Sequence, residues 1–171
     1  MFFPSSRGNI FYNEIRILDG EEFEILKFRI FKNSALASSP NERGCIETKT
    51  LERNHANLTY VGRVLRRTYL DELPQFINIL KGDMSLVGPR PTNICNSQKL
   101  LERGNYSKYI IKSGLTGYFQ AAKAKKFKHS EEELDKSYIE FCQKNSAFGI
   151  VLNDIKVILK TFKPWFKAEG I

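Results

Sequence analysis

Apolar and polar residues alternate at Ile15, Ile17, Phe23 and Ile25 on either side of Asp19-Gly20, the period-two signature of a β-hairpin. A two-residue turn would set Ile17 opposite Glu22 and Ile15 opposite Glu24. A three-residue connection sets Ile17 opposite Phe23, Ile15 opposite Ile25 and Arg16 opposite Glu24. The second register gathers the apolar side chains on one face and is the one expected. Residues 33–57 are polar and show no sustained period, which predicts a long surface loop of the kind often tied to function.

Helical spacing takes over further along. Leu73, Phe76, Ile77 and Leu80 fall on one helical face, and Gly82 supplies a left-handed stop. Pro74 cannot sit deep in a helix, so this one must begin close to Leu70 or Asp71. Ser130 and Glu133 form a capping-box signature ahead of Leu134, Tyr138 and Phe141. A last stripe, Phe148, Val151, Leu152, Ile155, Ile158, Leu159 and Phe162, is expected to pack on the core until Pro164 ends its helix. Trp165, Phe166 and Lys167 beyond it resemble an interfacial anchor. The expected fold class is α+β: one helix-rich, compact, membrane-associated domain over residues 1–171, opening with a β-hairpin.

Composition narrows the partners. A chain of 171 residues that is 42% hydrophobic can bury a real core. Its net charge of +8 calls for an anionic partner, whether nucleic acid, an anionic membrane surface or a phosphorylated substrate. Cys45, Cys95 and Cys142 lie far apart with no Cys-x-x-Cys spacing, and His55 and His129 complete no zinc set, so three reduced thiols are expected. No run reaches the roughly 18 to 20 apolar residues of a spanning helix.

The stretch 65–91, LRRTYLDELPQFINILKGDMSLVGPRP, places ionisable residues where a core helix would not want them. Asp71 and Glu72 occupy the first helical turn, where free amides and the helix dipole favour negative charge, so both are expected to stay ionised at neutral pH. An ionised aspartate is a competent nucleophile. Such a pair also serves simply as an acidic helix start, and adjacent helical positions point about 100° apart, so the two need not act on one atom. Arg90, fixed between Pro89 and Pro91, suits bidentate phosphate binding, with bonding to turn carbonyls as the lesser alternative. Asp83, after Gly82, caps a turn as easily as it assists a metal and is left out of the site.

These residues resemble the signature of the bacterial sugar transferases, the monotopic phosphoglycosyl transferases. Arg66, Asp71, Glu72, Leu73, Pro74, Gln75 and residues 81–91 match that pattern element by element. The likeness extends to Lys27-Phe28-Arg29, to Thr59-Tyr60-Val61-Gly62-Arg63, and to Gly114-Leu115-Thr116-Gly117 with Gln120. The chain departs from the family at Lys112-Ser113, where Arg-Pro is usual, at Ala122-Lys123-Ala124, and at Asn57, where arginine is common. Residues 8–12 align with the segment that follows the family's N-terminal membrane-dipping helix, so the chain is expected to lack that helix.

The resemblance implies transfer of a hexose or N-acetylhexosamine phosphate from a UDP-sugar to polyprenyl (undecaprenyl) phosphate through a phosphosugar-aspartyl intermediate. The setting it implies is the first step of surface-glycan synthesis at the cytoplasmic face of the bacterial inner membrane. It assigns Asp71 as nucleophile and Mg²⁺ ligand, Glu72 as its catalytic partner, and Arg66 and Arg90 as phosphate-binding residues. Lys27 and Arg29, at the end of the hairpin, either contact the diphosphate or project into solvent. Lys123, Lys125, Lys126 and Lys128 around Phe127 read as a solvated or membrane-facing loop, since no nucleic-acid-binding motif accompanies them. The rival reading is a non-catalytic anion-binding module at the membrane surface or on nucleic acid; intact Asp71, Glu72, Arg66 and Arg90 argue against it.

Overall fold

A computed structural model describes residues 9–18, 20–37, 48–123 and 129–166. The first six residues, Cys45, residues 125–128 and the side chains of Lys123, Trp165 and Phe166, on which some expectations fell, lie outside what is described.

β1 (Phe11–Leu18) and β2 (Glu21–Phe28) form the expected hairpin in the other register: Ile17 stands opposite Glu22, Ile15 opposite Glu24 and Arg16 opposite Phe23. The connection is thus the two-residue one, with Gly20 at φ +82°, a conformation glycine adopts without penalty. The expectation failed because it assumed that the buried face must be apolar. Glu14, Arg16, Phe23, Ile25 and Lys27 share one face, on which Ile25 is fully buried and the side chains of Glu14, Arg16 and Lys27 are largely so. Ile15, on the opposite face, is half exposed. β4 (Thr92–Asn93) pairs antiparallel with β1, setting Arg16 opposite Asn93 and completing a sheet of order β2-β1-β4.

Residues 33–57 are not a loop throughout. α1 (Asn33–Ala37), α2 (Thr48–Arg53) and a 3-10 turn at His55–Asn57 occupy its ends. Leu36 and Leu51 from these helices, with Leu65 of α3 (Tyr60–Arg67), pack on the buried cluster of Ile30, Phe31 and Leu58. Isolated leucines in short helices leave no period to detect. Thr59 caps α3, its Oγ1 accepting from the Gly62 amide at 2.8 Å.

α4 (Gln75–Lys81) ends at Gly82 in the left-handed conformation expected, φ +83°. Its apolar face nevertheless points outward: Leu73, Phe76 and Ile77 are exposed and Leu80 is 88% exposed. The helix docks instead through polar Asn78, whose Oδ1 accepts from Leu26 N at 3.0 Å and whose Nδ2 donates to Glu24 O at 2.8 Å. Asn78 thereby stitches α4 to the β2 backbone. Asp83 accepts from the same amide nitrogen at 3.2 Å.

β3 (Ser85–Val87) and β5 (Gly114–Thr116) pair in parallel, Ser85 opposite Gly114 and Val87 opposite Thr116. This joins the two glycine-containing segments at van der Waals contact. A Cβ on Gly114 would lie 2.2 Å from Gly88 N, and one on Gly117 would lie 2.2 Å from Gly88 O. Lys112, one of the departures from the family pattern, donates to Gly82 O at 2.7 Å and so helps close the end of α4.

α5 (Ile94–Glu102), α6 (Tyr118–Lys123), α7 (Glu131–Lys144) and α8 (Ala147–Phe166) complete the order. The capping box of Ser130 and Glu133 opens α7 as expected. Val87, Tyr138 and Val157 form a second core, flanked by Ile111, Tyr118, Ala121, Cys142 and Ile158.

Two expectations for α8 are corrected. It runs to Phe166, two residues past Pro164. Its apolar stripe is also mostly turned out rather than packed: Phe148 is 73% and Leu159 66% exposed, while Ile158 of the stripe packs on the second core. The docked face carries polar anchors, with Asn153 accepting from Tyr118 OH at 3.1 Å, Asp154 from Tyr138 OH at 3.0 Å, and Thr161 bonding Thr116 at 2.7 Å. Among the described residues no helix is long and apolar enough to cross a membrane. Cys95 is disulfide-bonded and Cys142 is free, so three reduced thiols were the wrong expectation; sequence spacing says nothing about approach in space.

Candidate active site

After α3 the chain turns through Tyr69 at φ +55°, a left-handed conformation uncommon for a bulky residue, and enters a 3-10 turn at Leu70–Glu72. Asp71 therefore does not sit in the first turn of α4, as expected, but one turn earlier. The turn's amides already bond within it, Glu72 N to Tyr69 O and Leu73 N to Leu70 O. The helix-dipole argument weakens accordingly. Burial dominates instead: Asp71 is 8% exposed, and its carboxyl is pushed up to about 6 by desolvation first and by the Glu72 charge second, against the pull of Lys27 and its own backbone amide. It remains mostly ionised at neutral pH but titrates just below it.

Glu72 is the hub beside it. Arg90 Nη2 donates to Glu72 Oε1, and Lys27 Nζ lies 3.7 Å from the same oxygen. The pairing holds the Arg90 guanidinium in its charged form more firmly still, whereas burial pulls the Lys27 ammonium down against the support of Glu72. A cleft opens against this cluster, lined by Arg16, Lys27, Gln75, Arg90, Gly114 and Leu115 among others. The hairpin, the start of α4, the Pro-Arg-Pro segment and β5 thus converge on one concavity, whose Lys27 and Arg90 also meet Glu72 of the Asp71 turn.

Of the residues singled out in the sequence, the structure brings together Asp71, Glu72, Lys27 and Arg90. Arg66 is turned toward α2, donating from Nη1 to Glu52 O at 2.8 Å and pairing from Nη2 with Glu52 Oε2 at 3.2 Å. Arg29 ties down the end of the hairpin, donating from Nε to Asn9 O at 2.6 Å and from Nη1 to Phe31 O at 2.7 Å and Asn33 Oδ1 at 3.0 Å. Sequence reasoning missed Gln75, buried on the cleft although it stands inside the matched motif, and Arg16, treated only as a hairpin residue.

Among the described residues no group of three or more histidine, cysteine or carboxylate side chains could hold a metal ion. Mg²⁺ commonly takes one or two carboxylates and completes its shell with water and substrate phosphates. Asp71, a carboxylate with no salt bridge among the described residues, fits that mode; Glu72, already committed to two cations, fits it less well.

The model of the bacterial sugar transferase family matches residues 1–168. The chain is 34% identical over 160 residues to the UDP-glucose:undecaprenyl-phosphate glucose-1-phosphate transferase of Escherichia coli, covering 92% of this chain and 32% of that protein. It is 35% identical over 160 residues to the undecaprenyl-phosphate galactose phosphotransferase of Salmonella typhimurium, with 88% of this chain and 32% of that protein covered. An uncharacterised sugar transferase of Bacillus subtilis is 30% identical over 164 residues, covering 95% of this chain and 72% of that protein. The chain spans about a third of the length of the first two relatives. With nearly every residue matched, the chain belongs to the bacterial sugar transferase family.

Proposed function

We propose that this protein transfers a hexose or N-acetylhexosamine phosphate from a UDP-sugar to undecaprenyl phosphate at the cytoplasmic face of the membrane, the opening step of a surface glycan. The observation that carries this reading is Asp71: a buried carboxylate with a raised pKa beside the Lys27–Glu72–Arg90 cluster at a cationic cleft. Relatives named for undecaprenyl-phosphate sugar transfer support the substrate classes.

In the first half-reaction an Asp71 carboxylate oxygen attacks the phosphorus that bears the sugar. The bond from that phosphorus to the bridging oxygen breaks, and UMP leaves with the electron pair. In the second half-reaction an oxygen of undecaprenyl phosphate attacks the same phosphorus and Asp71 is released as carboxylate. Lys27 and Arg90 offset the charge of the donor phosphates as one anion approaches another, and Glu72 holds both cations in place. Mg²⁺, held by Asp71 together with the donor phosphates, would supply further charge neutralisation. The acceptor head group lies at a lipid surface, and the outward apolar faces of α4 and α8 suit adsorption there without a spanning helix.

Intact-protein mass spectrometry with a UDP-sugar panel, Mg²⁺ and no lipid acceptor tests the reading. A phosphosugar adduct with release of UMP, lost in Asp71→Asn, is the expected result. Salt-sensitive anion binding with no release of UMP from any donor would establish the non-catalytic module instead.

A further inference from the structure

Arg16 stands in the donor cleft with its guanidinium paired to Glu14 and, among the described residues, its buried Nε without a partner. We infer that Arg16, oriented by Glu14, is a further donor-binding residue of this site and takes the phosphate that leaves with the nucleoside. The inference rests on the donor reading above and adds a residue and a phosphate to it.

The observed hairpin register carries the argument. Tyr12 opposes Lys27, Glu14 opposes Ile25 and Arg16 opposes Phe23, so Arg16 and Lys27 project from one face with Ile25 between them. At the usual rise per residue their Cα atoms are about 13 Å apart along the strands. Both side chains nevertheless line the same cleft, over an Ile25 floor. Lys27 marks the end nearest Asp71, whose carboxyl it draws down. Arg16 marks the other end, opposite Asn93 and beside the Pro-Arg-Pro segment. A diphosphate lying along the cleft with its sugar-bearing phosphorus at Asp71 directs its other phosphate toward Arg16.

The bonding of Arg16 favours this role over a purely structural one. Its Nη2 donates to Glu14 Oε2 at 2.6 Å, and the two side chains are only 12% and 11% exposed. Glu14 and Arg16 lie two residues apart on one strand, so their ion pair ties no two elements together; its effect is to aim the guanidinium. Arg16 Nε is buried and, among the described residues, has no hydrogen-bond partner, an unfavourable state for a charged donor that a ligand oxygen would relieve.

Calorimetric titration of the full chain with UDP, UMP and uridine tests the assignment, alongside donor turnover. Arg16→Gln should weaken UDP and UMP alike by about tenfold or more, the scale of a lost charge-assisted hydrogen bond, and leave uridine unchanged. Glu14→Gln should raise the donor KM with kcat nearly retained, since Glu14 only positions Arg16. If Arg16→Gln binds both nucleotides as the native chain does, Arg16 is no ligand; if it weakens UDP but not UMP, the phosphate is wrongly assigned. Should circular dichroism show Arg16→Gln unfolded, Arg16→Lys decides by the same comparison, and native affinity there overturns the inference. A native chain that cleaves donor while these variants match it defeats this inference alone; a native chain that binds no nucleotide defeats the donor reading itself.

Discussion

Lys27 Nζ lies 3.7 Å from Glu72 Oε1, the oxygen that also accepts from Arg90. Glu72 therefore does two things by charge alone. It holds the cleft's cations in position, and it raises the pKa of the adjacent Asp71.

Glu72→Gln separates these effects. Lys27 and Arg90 lose their shared counter-charge, so donor cleavage should fall by about a hundredfold, within the range of losing positioned electrostatic groups. Asp71 simultaneously loses a repelling neighbour, so its pKa should fall. The residual activity should then persist to lower pH than in the native protein, as read from single-turnover UMP release across pH.

In the native protein, adduct formation needs Asp71 ionised, and its carboxyl titrates at about 6. Single-turnover rates without lipid acceptor should be level above neutrality and fall about tenfold per pH unit well below pH 6. A carboxyl near its ordinary value would instead give a level profile down to about pH 4.

Asp71→Asn should stabilise the fold while abolishing turnover. The folded carboxyl is raised from 3.8 to about 6, so at low pH both folded and unfolded states hold the proton and nothing is lost. As pH rises through that window the unfolded chain releases its proton first, and stability declines to a plateau above the folded value. At pH 7 the cost is on the order of 3 kcal/mol. Without divalent cation, the variant should therefore melt higher than the native protein at pH 7 and at about the same temperature near pH 3.

A second buried charge pair is structural. Lys108 Nζ meets Asp135 Oδ2 at 2.5 Å and Glu131 Oε1 at 3.3 Å, linking the turn after α5 to α7. Burial already pushes the Asp135 carboxyl up to about 6 against the pull of Lys108. Lys108→Ala should cost about 3–5 kcal/mol in chemical denaturation, because a buried carboxylate is left uncompensated. Its deficit should shrink toward acid pH, where Asp135 can take a proton. Lys108→Met combined with Asp135→Leu should recover most of the loss.

The grouping of four candidate site residues was legible because local rules and matched motifs carry it. Gly82 stops its helix by backbone conformation, Ser130 and Glu133 cap theirs within one turn, and the matched motifs place Asp71, Glu72, Lys27 and Arg90 in the right pattern. The hairpin itself was legible too. Its register was not, since the criterion of one apolar face fails when that face must carry Glu14, Arg16 and Lys27 to a cleft. The same reversal hid the orientation of α4 and α8. Their periods predict helices correctly, but Asn78 in one and Asn153, Asp154 and Thr161 in the other bond inward, leaving most of the apolar stripes outside.

Sequence by itself thus determined the elements with strong local signals, the family and a set of candidate residues that includes those meeting at Glu72. Only the tertiary structure decided which face of each element is inside, that Asp71 titrates near 6, that Arg66 and Arg29 bond to Glu52 and to backbone while Arg16 lines the cleft, and that Lys108 finds Asp135. The reason is physical: helix stops and caps act over a few residues, whereas desolvation and ion pairing depend on what approaches from elsewhere in the chain.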